Sequence, residues 1–123
     1  EKWKDNGLQD SAWYYHENGL LKRKGLYING TYFGEWKFYH ENGVFEKNVS
    51  YVNGLPQGRW EVFNDQGIRI QEGFYKEGLE SGFWVFYTPE GAMEFQGRYE
   101  NGERIGEWYR FNKRRKMILL NVY

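Results

Sequence analysis

The chain has no cysteine, and proline, alanine and histidine occur only twice each. Without cysteine it cannot form disulfides, use a thiolate nucleophile, or hold zinc or an iron–sulfur cluster on cysteine sulfur. Its 17 basic and 17 acidic residues leave no net charge, so no overall field attracts nucleic acid or an anionic membrane. No apolar run approaches the roughly 18 residues of a membrane-spanning helix. These limits, with a length of 123 residues, fit one small domain covering 1–123.

Aromatic residues take the place that aliphatic residues hold in most protein cores. Trp, Tyr and Phe together number 26, against 19 for Leu, Ile and Val. Ring surface therefore supplies most of the apolar area that this chain can bury. Sixteen glycines accompany the rings. This combination predicts many short strands joined by tight turns rather than helices.

A repeat of 24 residues organises the chain. The tripeptide Gly-x-Trp occurs four times at this interval, and tyrosines and further glycines recur with it. We therefore predict an atypical N-terminal unit of about 1–33, regular units starting near Gly34, Gly58 and Gly82, and a C-terminal cap of about 106–123. The recurring rings are Trp36, Trp60, Trp84 and Trp108, with Tyr27, Tyr51, Tyr75 and Tyr99.

The two end units depart from the repeat. Trp13 precedes Trp36 by only 23 residues, which predicts that one residue is missing between Trp13 and His16. At the other end, Arg115 stands where the earlier units have glycine. Atypical end units are typical of the caps of repeat proteins.

Turn signals predict two strands in each unit. We interpret Asn42-Gly43 as a two-residue hairpin turn and 54–58 as a loop between hairpins, which places Trp36 opposite Val49. The predicted fold is all-β: an elongated, single-layer antiparallel meander of tandem β-hairpin repeats with a 24-residue period. The same register pairs Gly34 with Tyr51, Gly58 with Tyr75, Trp60 with Gly73, Gly82 with Tyr99, and Trp84 with Gly97.

Most large rings in this register face a glycine. A ring can lie flat across the bare backbone of a cross-strand glycine and restore the packing that the glycine lacks. We therefore interpret the paired rings and glycines, together with Trp108, as the structural positions of the repeat.

Alternation along each strand sorts the side chains onto two faces. The recurring tryptophans occupy the core face, whereas the second face is more polar and keeps one aromatic residue per unit. Two interpretations of these aromatic residues stay open: half-buried packing between strands, or a partner-binding strip with Glu41 and Asp65 as its charged rim. We call this set the stripe: Tyr39, Phe63, Tyr87 and Phe111.

The repeat unit resembles the MORN-repeat variant family, of the type found in bacterial YwqK-like antitoxin proteins. The similarity runs from about Trp3 to Phe111. It implies a twisted meander of β-hairpins and, for some members, a role as the antitoxin or immunity partner of a toxin. Related MORN repeats are linked to protein binding, dimerisation and phospholipid binding. The matching positions are Gly34, Trp36, Tyr39, Asn42, Gly43, Tyr51, Asn53, Gly54 and Gly58.

The residues that catalysis would need are scarce. His16 and His40 share one repeat position beside a turn, which indicates a scaffold role. The carboxylates recur at solvated turn positions, and no serine lies near a histidine in the repeat frame. No glycine-rich phosphate-binding motif is present. We therefore expect no enzyme activity, no catalytic residue, no metal site and no cofactor.

One dense basic cluster lies near the C-terminal end, at Lys113, Arg114, Arg115 and Lys116. Two interpretations stay open. The cluster is either a solvated turn that discourages edge-to-edge aggregation, or an anion-binding patch for an acidic toxin, nucleic acid or lipid headgroups.

The sequence thus predicts a non-enzymatic, protein-binding repeat module that resembles an antitoxin or immunity protein. The expected partner is a protein, such as a toxin encoded nearby. The alternatives are a structural scaffold that forms a homodimer and a peripheral module that binds membrane phospholipid, while nucleic acid is disfavoured. We expect a cytoplasmic location, with a secreted or cell-envelope form as the alternative because the sequence begins with Glu rather than Met.

Overall fold

A computed structural model describes residues 2–4 and 7–123 of the chain, with side chains from residue 10 onward. The remaining residues of the predicted N-terminal unit, and the side chain of Trp3 at which the resemblance begins, lie outside this description. The described residues form 13 strands in one antiparallel sheet, which confirms the all-β meander. The strands are β1 (Lys2–Lys4), β2 (Gly7–Tyr15), β3 (Leu21–Ile28), β4 (Thr31–Tyr39), β5 (Phe45–Val52), β6 (Leu55–Pro56), β7 (Gly58–Phe63), β8 (Arg69–Lys76), β9 (Leu79–Glu80), β10 (Gly82–Tyr87), β11 (Met93–Glu100), β12 (Glu103–Phe111) and β13 (Met117–Val122).

The order of the strands in the sheet follows their order in the chain. Each long strand pairs with the strands before and after it, and the two-residue strands β6 and β9 pair with β5 and β8. From β2 onward, hairpins connect the long strands, and successive hairpin turns alternate between the two long margins of the sheet.

Tight two-residue turns connect one hairpin to the next. At Asn53-Gly54 both residues have positive φ, 53° and 79°, and Val52 pairs with Leu55 across the turn. This is a type I′ turn, in which Asn and Gly tolerate the left-handed backbone. The prediction of a longer loop over 54–58 is therefore wrong. The same geometry recurs at Asn29-Gly30, Glu77-Gly78 and Asn101-Gly102.

The turns at the opposite margin are wider than predicted. The Gly43 amide donates to the His40 carbonyl at 2.9 Å, and the His40 amide donates to the Val44 carbonyl at 2.8 Å. A three-residue loop results, with only its last residue, Gly43, at positive φ (89°). The prediction of a two-residue turn at Asn42-Gly43 is wrong because a type I′ turn needs positive φ at both central residues.

The predicted strand register is nevertheless confirmed. A bulge restores it, because Tyr39 pairs with Phe45 whereas Phe38 pairs with Lys47, which leaves Glu46 as the extra residue. Beyond this bulge the pairs fall as the sequence predicts: Trp36 with Val49, Gly34 with Tyr51, Trp60 with Gly73, Gly58 with Tyr75, Trp84 with Gly97, and Gly82 with Tyr99.

The N-terminal unit keeps the full repeat length. Ala12 pairs with Gly25 as Trp36 pairs with Val49, so Ala12 takes the tryptophan position. Trp13 lies on the second face and is 56% exposed. No residue is missing before His16, and the prediction of a deletion is wrong because it aligned Trp13 with the wrong repeat position.

The indole rings do not lie on the glycines that they face in the register. A Cβ atom on Gly73 of β8 would lie 2.1 Å from Cδ2 of Trp84 on β10, although Trp84 pairs with Gly97. Trp36 covers Gly25 in the same way, and Trp108 covers Gly97. Each indole therefore leans back onto the preceding hairpin. The predicted ring–glycine partnership holds, but with the opposite neighbour.

A bulge between hairpins makes this geometry. On β4 the three residues from Gly34 to Trp36 lie opposite the single residue Gly25 of β3. The indole Nε1 of Trp36 donates to the Leu26 carbonyl at 2.9 Å. In the later units Trp84 and Trp108 donate in the same way to the carbonyls of Phe74 at 3.2 Å and Arg98 at 3.1 Å.

The glycines that begin these bulges have a different function from the one predicted. Gly34, Gly58 and Gly82 have φ of 68°, 102° and 75°, and a Cβ on any of them would meet no atom within 4 Å. They are therefore required for a left-handed backbone rather than as seats for Tyr51, Tyr75 and Tyr99.

Three of the indoles form the core of the single-layer sheet. Trp36, Trp84 and Trp108 are at most 2% exposed. The ring of Tyr32 stacks on Trp36 with centroids 4.0 Å apart, and the Arg104 guanidinium lies 5.0 Å from the Trp108 ring. Trp36 and Trp108 are thus enclosed by a bare backbone on one side and a side chain on the other.

Trp60 is the exception among the regular units. In the other units the indole lies on a glycine, but the residue equivalent to that glycine is here Val49. The Trp60 side chain is only half-buried. Its Nε1 donates to Oε1 of Gln71 at 3.0 Å instead of to a backbone carbonyl. The Lys47 ammonium lies 5.1 Å from its ring centroid.

We expect Gly73→Ala to destabilise the protein by about 3 kcal/mol, because the new methyl group must displace the Trp84 indole from its seat. Urea unfolding measures the loss. Trp84→Ala alone should cost about 3–5 kcal/mol. In the Trp84→Ala background the destabilisation by Gly73→Ala should largely disappear. An equal loss of stability in both backgrounds would contradict the contact between Trp84 and Gly73.

Candidate partner-binding face

The second face lies opposite the tryptophans, and the stripe residues lie on it. All four are half-buried. The ring of Phe45 lies 5.9 Å from Tyr39 and 5.9 Å from Phe63, and the Tyr87 hydroxyl donates to Glu72. The stripe therefore packs within the sheet, and its role in partner binding stays a prediction.

The predicted acidic rim lies at the three-residue turns. Glu41 and Asp65 are exposed there, and their backbone carbonyls accept from Nδ2 of Asn18 at 2.7 Å and Asn42 at 2.8 Å in the preceding turns. These hydrogen bonds hold successive turns at a fixed spacing. The two carboxylates are consequently presented on a rigid margin.

The two histidines connect the same turns. Nε2 of His16 lies 2.9 Å from the Tyr39 carbonyl oxygen, and Nε2 of His40 lies 2.7 Å from that of Phe63. A carbonyl oxygen only accepts, so each histidine donates through Nε2–H. Both histidines therefore serve as ties between repeats.

The basic cluster forms the last of the three-residue turns. All four of its side chains are exposed, and none makes an ion pair within residues 10–123. Arg115 takes the left-handed position of the missing glycine, with φ of 62°. Oδ1 of Asn112 accepts from the Arg114 and Lys116 amides at 2.9 and 3.0 Å, which holds the turn.

A compact ion network occupies the middle of the second face. Nη1 of Arg69 lies 2.9 Å from Oε2 of Glu61 and 3.5 Å from Oε2 of Glu72. Nη2 of Arg59 lies 3.3 Å and 3.4 Å from the same two carboxylate atoms. Two cations and two anions thus neutralise each other.

Ionisation within this network follows from the same contacts. The hydrogen bond from Arg69 lowers the pKa of the Glu61 carboxyl, and the same bond raises the pKa of Arg69. Burial, and then the bond to Glu72, raises the pKa of the Tyr87 phenol. Glu61 and Arg69 therefore stay charged, and Tyr87 stays neutral, at neutral pH.

Two phenylalanines on this face are more exposed than the stripe. Phe74 is 46% exposed and Phe83 is 47% exposed. Phe74 pairs with Arg59, and Phe83 pairs with Arg98. The strands β7, β8, β10 and β11 are consecutive in the sheet, so the two pairs lie next to each other, with the bulge at 82–84 between them. We call these four residues the Arg-Phe-Phe-Arg row.

Sequence analysis missed these two phenylalanines because it selected residues that recur. The positions equivalent to Phe74 include Leu26, Ser50 and Arg98, and those equivalent to Phe83 are Ser11, Glu35, Arg59 and Glu107. A ring at a position that is otherwise mostly polar is the signal that could have found them.

Within the described residues no group of three or more His, Asp or Glu side chains could hold a metal ion. A shallow cavity of 330 Å³ lies beside the row, lined by residues that include Phe83, Arg98 and Ile105. Among the same residues, no helix is long and apolar enough to cross a bilayer.

Comparison with known proteins finds no matching family model and no matching curated protein.

The ion network predicts an acid-sensitive component of stability. The folded pKa of Glu61 lies below its ordinary value of 4.5, so its contribution is present above that pH and disappears as the pH falls through the folded pKa. We expect Glu61→Gln to cost about 0.5–1 kcal/mol at neutral pH and progressively less in acid. Urea unfolding between neutral and acidic pH measures both.

Glu100→Gln is the matched control, because Glu100 is exposed and lies outside the network. A difference between wild type and Glu61→Gln that stays constant with pH would contradict the assignment.

Proposed function

We propose that this chain is a non-enzymatic, protein-binding module whose second face receives a folded protein partner. The observation that carries the proposal is the exposure of Phe74 and Phe83, at 46% and 47%, on neighbouring strands of this face and beside charged residues. Rings flanked by polar groups are the usual centre of a protein interface. Two exposed rings on neighbouring strands, at positions that are mostly polar elsewhere in the repeat, are accounted for by binding rather than by folding.

The rigidity of the face favours binding. The turns are tied to one another through His16, His40 and the asparagines, and the hairpins are joined by the seated indoles. A preformed face loses little conformational entropy on association, and phenylalanine has few rotatable bonds to immobilise. A modest contact area can then give useful affinity.

The charges favour a protein over nucleic acid or lipid. Arg59 and Arg69 are already compensated by Glu61 and Glu72. A phosphate backbone or an anionic bilayer needs a continuous positive surface, which this face does not present. The cationic turn at 113–116 lies at the margin of the sheet, apart from the exposed rings.

The resemblance of the repeat to the MORN-variant, YwqK-like antitoxin type supports a finer proposal. The partner is then a toxin encoded nearby, and the module neutralises it by covering its active site. The stripe and the acidic side chains Glu41 and Asp65 would surround the contact as a secondary ring of anchors and charges.

Coexpression with the product of the adjacent reading frame tests this function. We expect a stoichiometric heterocomplex in size-exclusion chromatography with light scattering, and loss of the partner's toxicity. Self-association alone would favour the scaffold. Binding to anionic vesicles that disappears when residues 113–116 are replaced by serine would favour the membrane module.

A further inference from the structure

We infer that the Arg-Phe-Phe-Arg row is the contact centre of the second face. Its occupant is a protein segment that lays an apolar side chain on Phe74 and Phe83 and places a carboxylate beside Arg98. The inference rests on the proposed function and specifies the chemistry of the partner.

The repeat itself shows that the fold does not need these two rings. At the positions of Phe74 and Phe83 the preceding unit has Ser50 and Arg59, with the same strand pairing. Nearly half of each ring is exposed. The repeat tolerates serine and arginine at these positions. Two phenyl rings exposed there are energetically unfavourable in water, and contact with an apolar group of a partner would remove this cost.

Phe74 and Phe83 lie on the neighbouring strands β8 and β10, on the same side of the Glu72–Val85 pair. The Ser81 amide donates to the Phe74 carbonyl at 2.9 Å, so Ser81 lies directly opposite Phe74 and Phe83 belongs to the bulge between the hairpins. The outer members of the row lie on the strands beyond, so their backbones are about 14 Å apart at the usual strand spacing. Ile105, which pairs with Arg98 and is 36% exposed, extends the apolar surface on that side.

The two arginines of the row are not equivalent. Arg59 has two carboxylates within 3.4 Å, whereas Arg98 makes no ion pair within residues 10–123. The Arg98 guanidinium lies 5.9 Å from the ring centroid of Phe83. This guanidinium, which has no acidic partner among the residues with described side chains, lies beside the exposed ring of Phe83. This arrangement favours a partner segment in which an apolar residue has an acidic neighbour, and the contact with Arg98 fixes the direction in which the segment lies.

Single-stranded nucleic acid is the other class that stacks on exposed rings. Here the carboxylates of Glu61 and Glu72 lie beside the row, and only one of its guanidiniums is free. Phosphates would be repelled on one side and held on the other. The row is therefore assigned to an acidic and apolar protein segment.

A titration with defined probes tests this assignment. The probes are a short peptide with Leu and Phe between aspartates, an analogue with lysine for aspartate, an analogue with serine for Leu and Phe, and oligothymidine. We expect the acidic apolar peptide to shift the NMR amide signals of Phe74, Phe83 and Arg98. Both analogues should bind at least about tenfold more weakly, which corresponds to about 1.4 kcal/mol.

The chain supplies its own matched variants. Phe74→Ser with Phe83→Arg copies Ser50 and Arg59, so it should fold normally and lose the peptide-induced shifts. Phe33→Gln copies Gln57 and removes a ring that is 41% exposed outside the row, so it should keep them.

Arg98→Ser, which also copies the residue at Ser50, should retain the apolar contact but no longer distinguish the aspartate peptide from its lysine analogue. Unfolding midpoints and circular dichroism confirm that each variant is folded.

Three results would overturn the inference: peptide binding by the double variant equal to that of wild type, equal binding of the aspartate and lysine peptides, or salt-dependent shifts of the row by oligothymidine. A heterocomplex that survives the double variant would refute the row and leave the proposed function standing. Failure of any heterocomplex to form would count against the proposed function, while the peptide titration would still decide the chemistry of the row.

Discussion

The contact between an indole ring and the bare backbone of a glycine on the preceding hairpin supports the rest of this structure. Trp84 on Gly73 is representative, because a single methyl group on that glycine would overlap the ring. The indole N–H also satisfies a carbonyl at the bulge, so one side chain supplies both packing and a hydrogen bond. A single-layer sheet has no second layer to bury its apolar face, and here each hairpin buries the rings of the next.

Val49 shows how strictly this contact depends on glycine. Its side chain fills the position on which Trp60 would lie, and Trp60 bonds a glutamine side chain instead of the backbone. The unit keeps its strand register, so the hairpin does not need the seated ring. The contact with glycine contributes the burial of an indole between consecutive hairpins. This burial is lost at Trp60, near the middle of the repeat array.

Residues that recur along the repeat form the scaffold, whereas residues that depart from the repeat distinguish one part of the surface from another. Positions that repeat, including the stripe, the histidines and the tryptophans, have structural contacts in the sheet. Phe74 and Phe83 depart from the repeat, and they are among the most exposed rings on the second face. In a protein built of nearly identical units a binding site must be made by such departures, because identical units alone present the same chemistry everywhere. The proposed partner-binding face follows from this argument.

The sequence by itself determined the 24-residue period, the all-β meander and the pairing of residues such as Trp36 with Val49, because glycine, asparagine and aromatic residues impose local constraints on strands and turns. Only the tertiary structure decided which turns are tight, which glycine lies under each ring, and that Ala12 rather than Trp13 holds the first tryptophan position. The reason is that bulges between hairpins insert residues that pair counting cannot detect. The Arg-Phe-Phe-Arg row likewise exists only after β7, β8, β10 and β11 have been placed side by side.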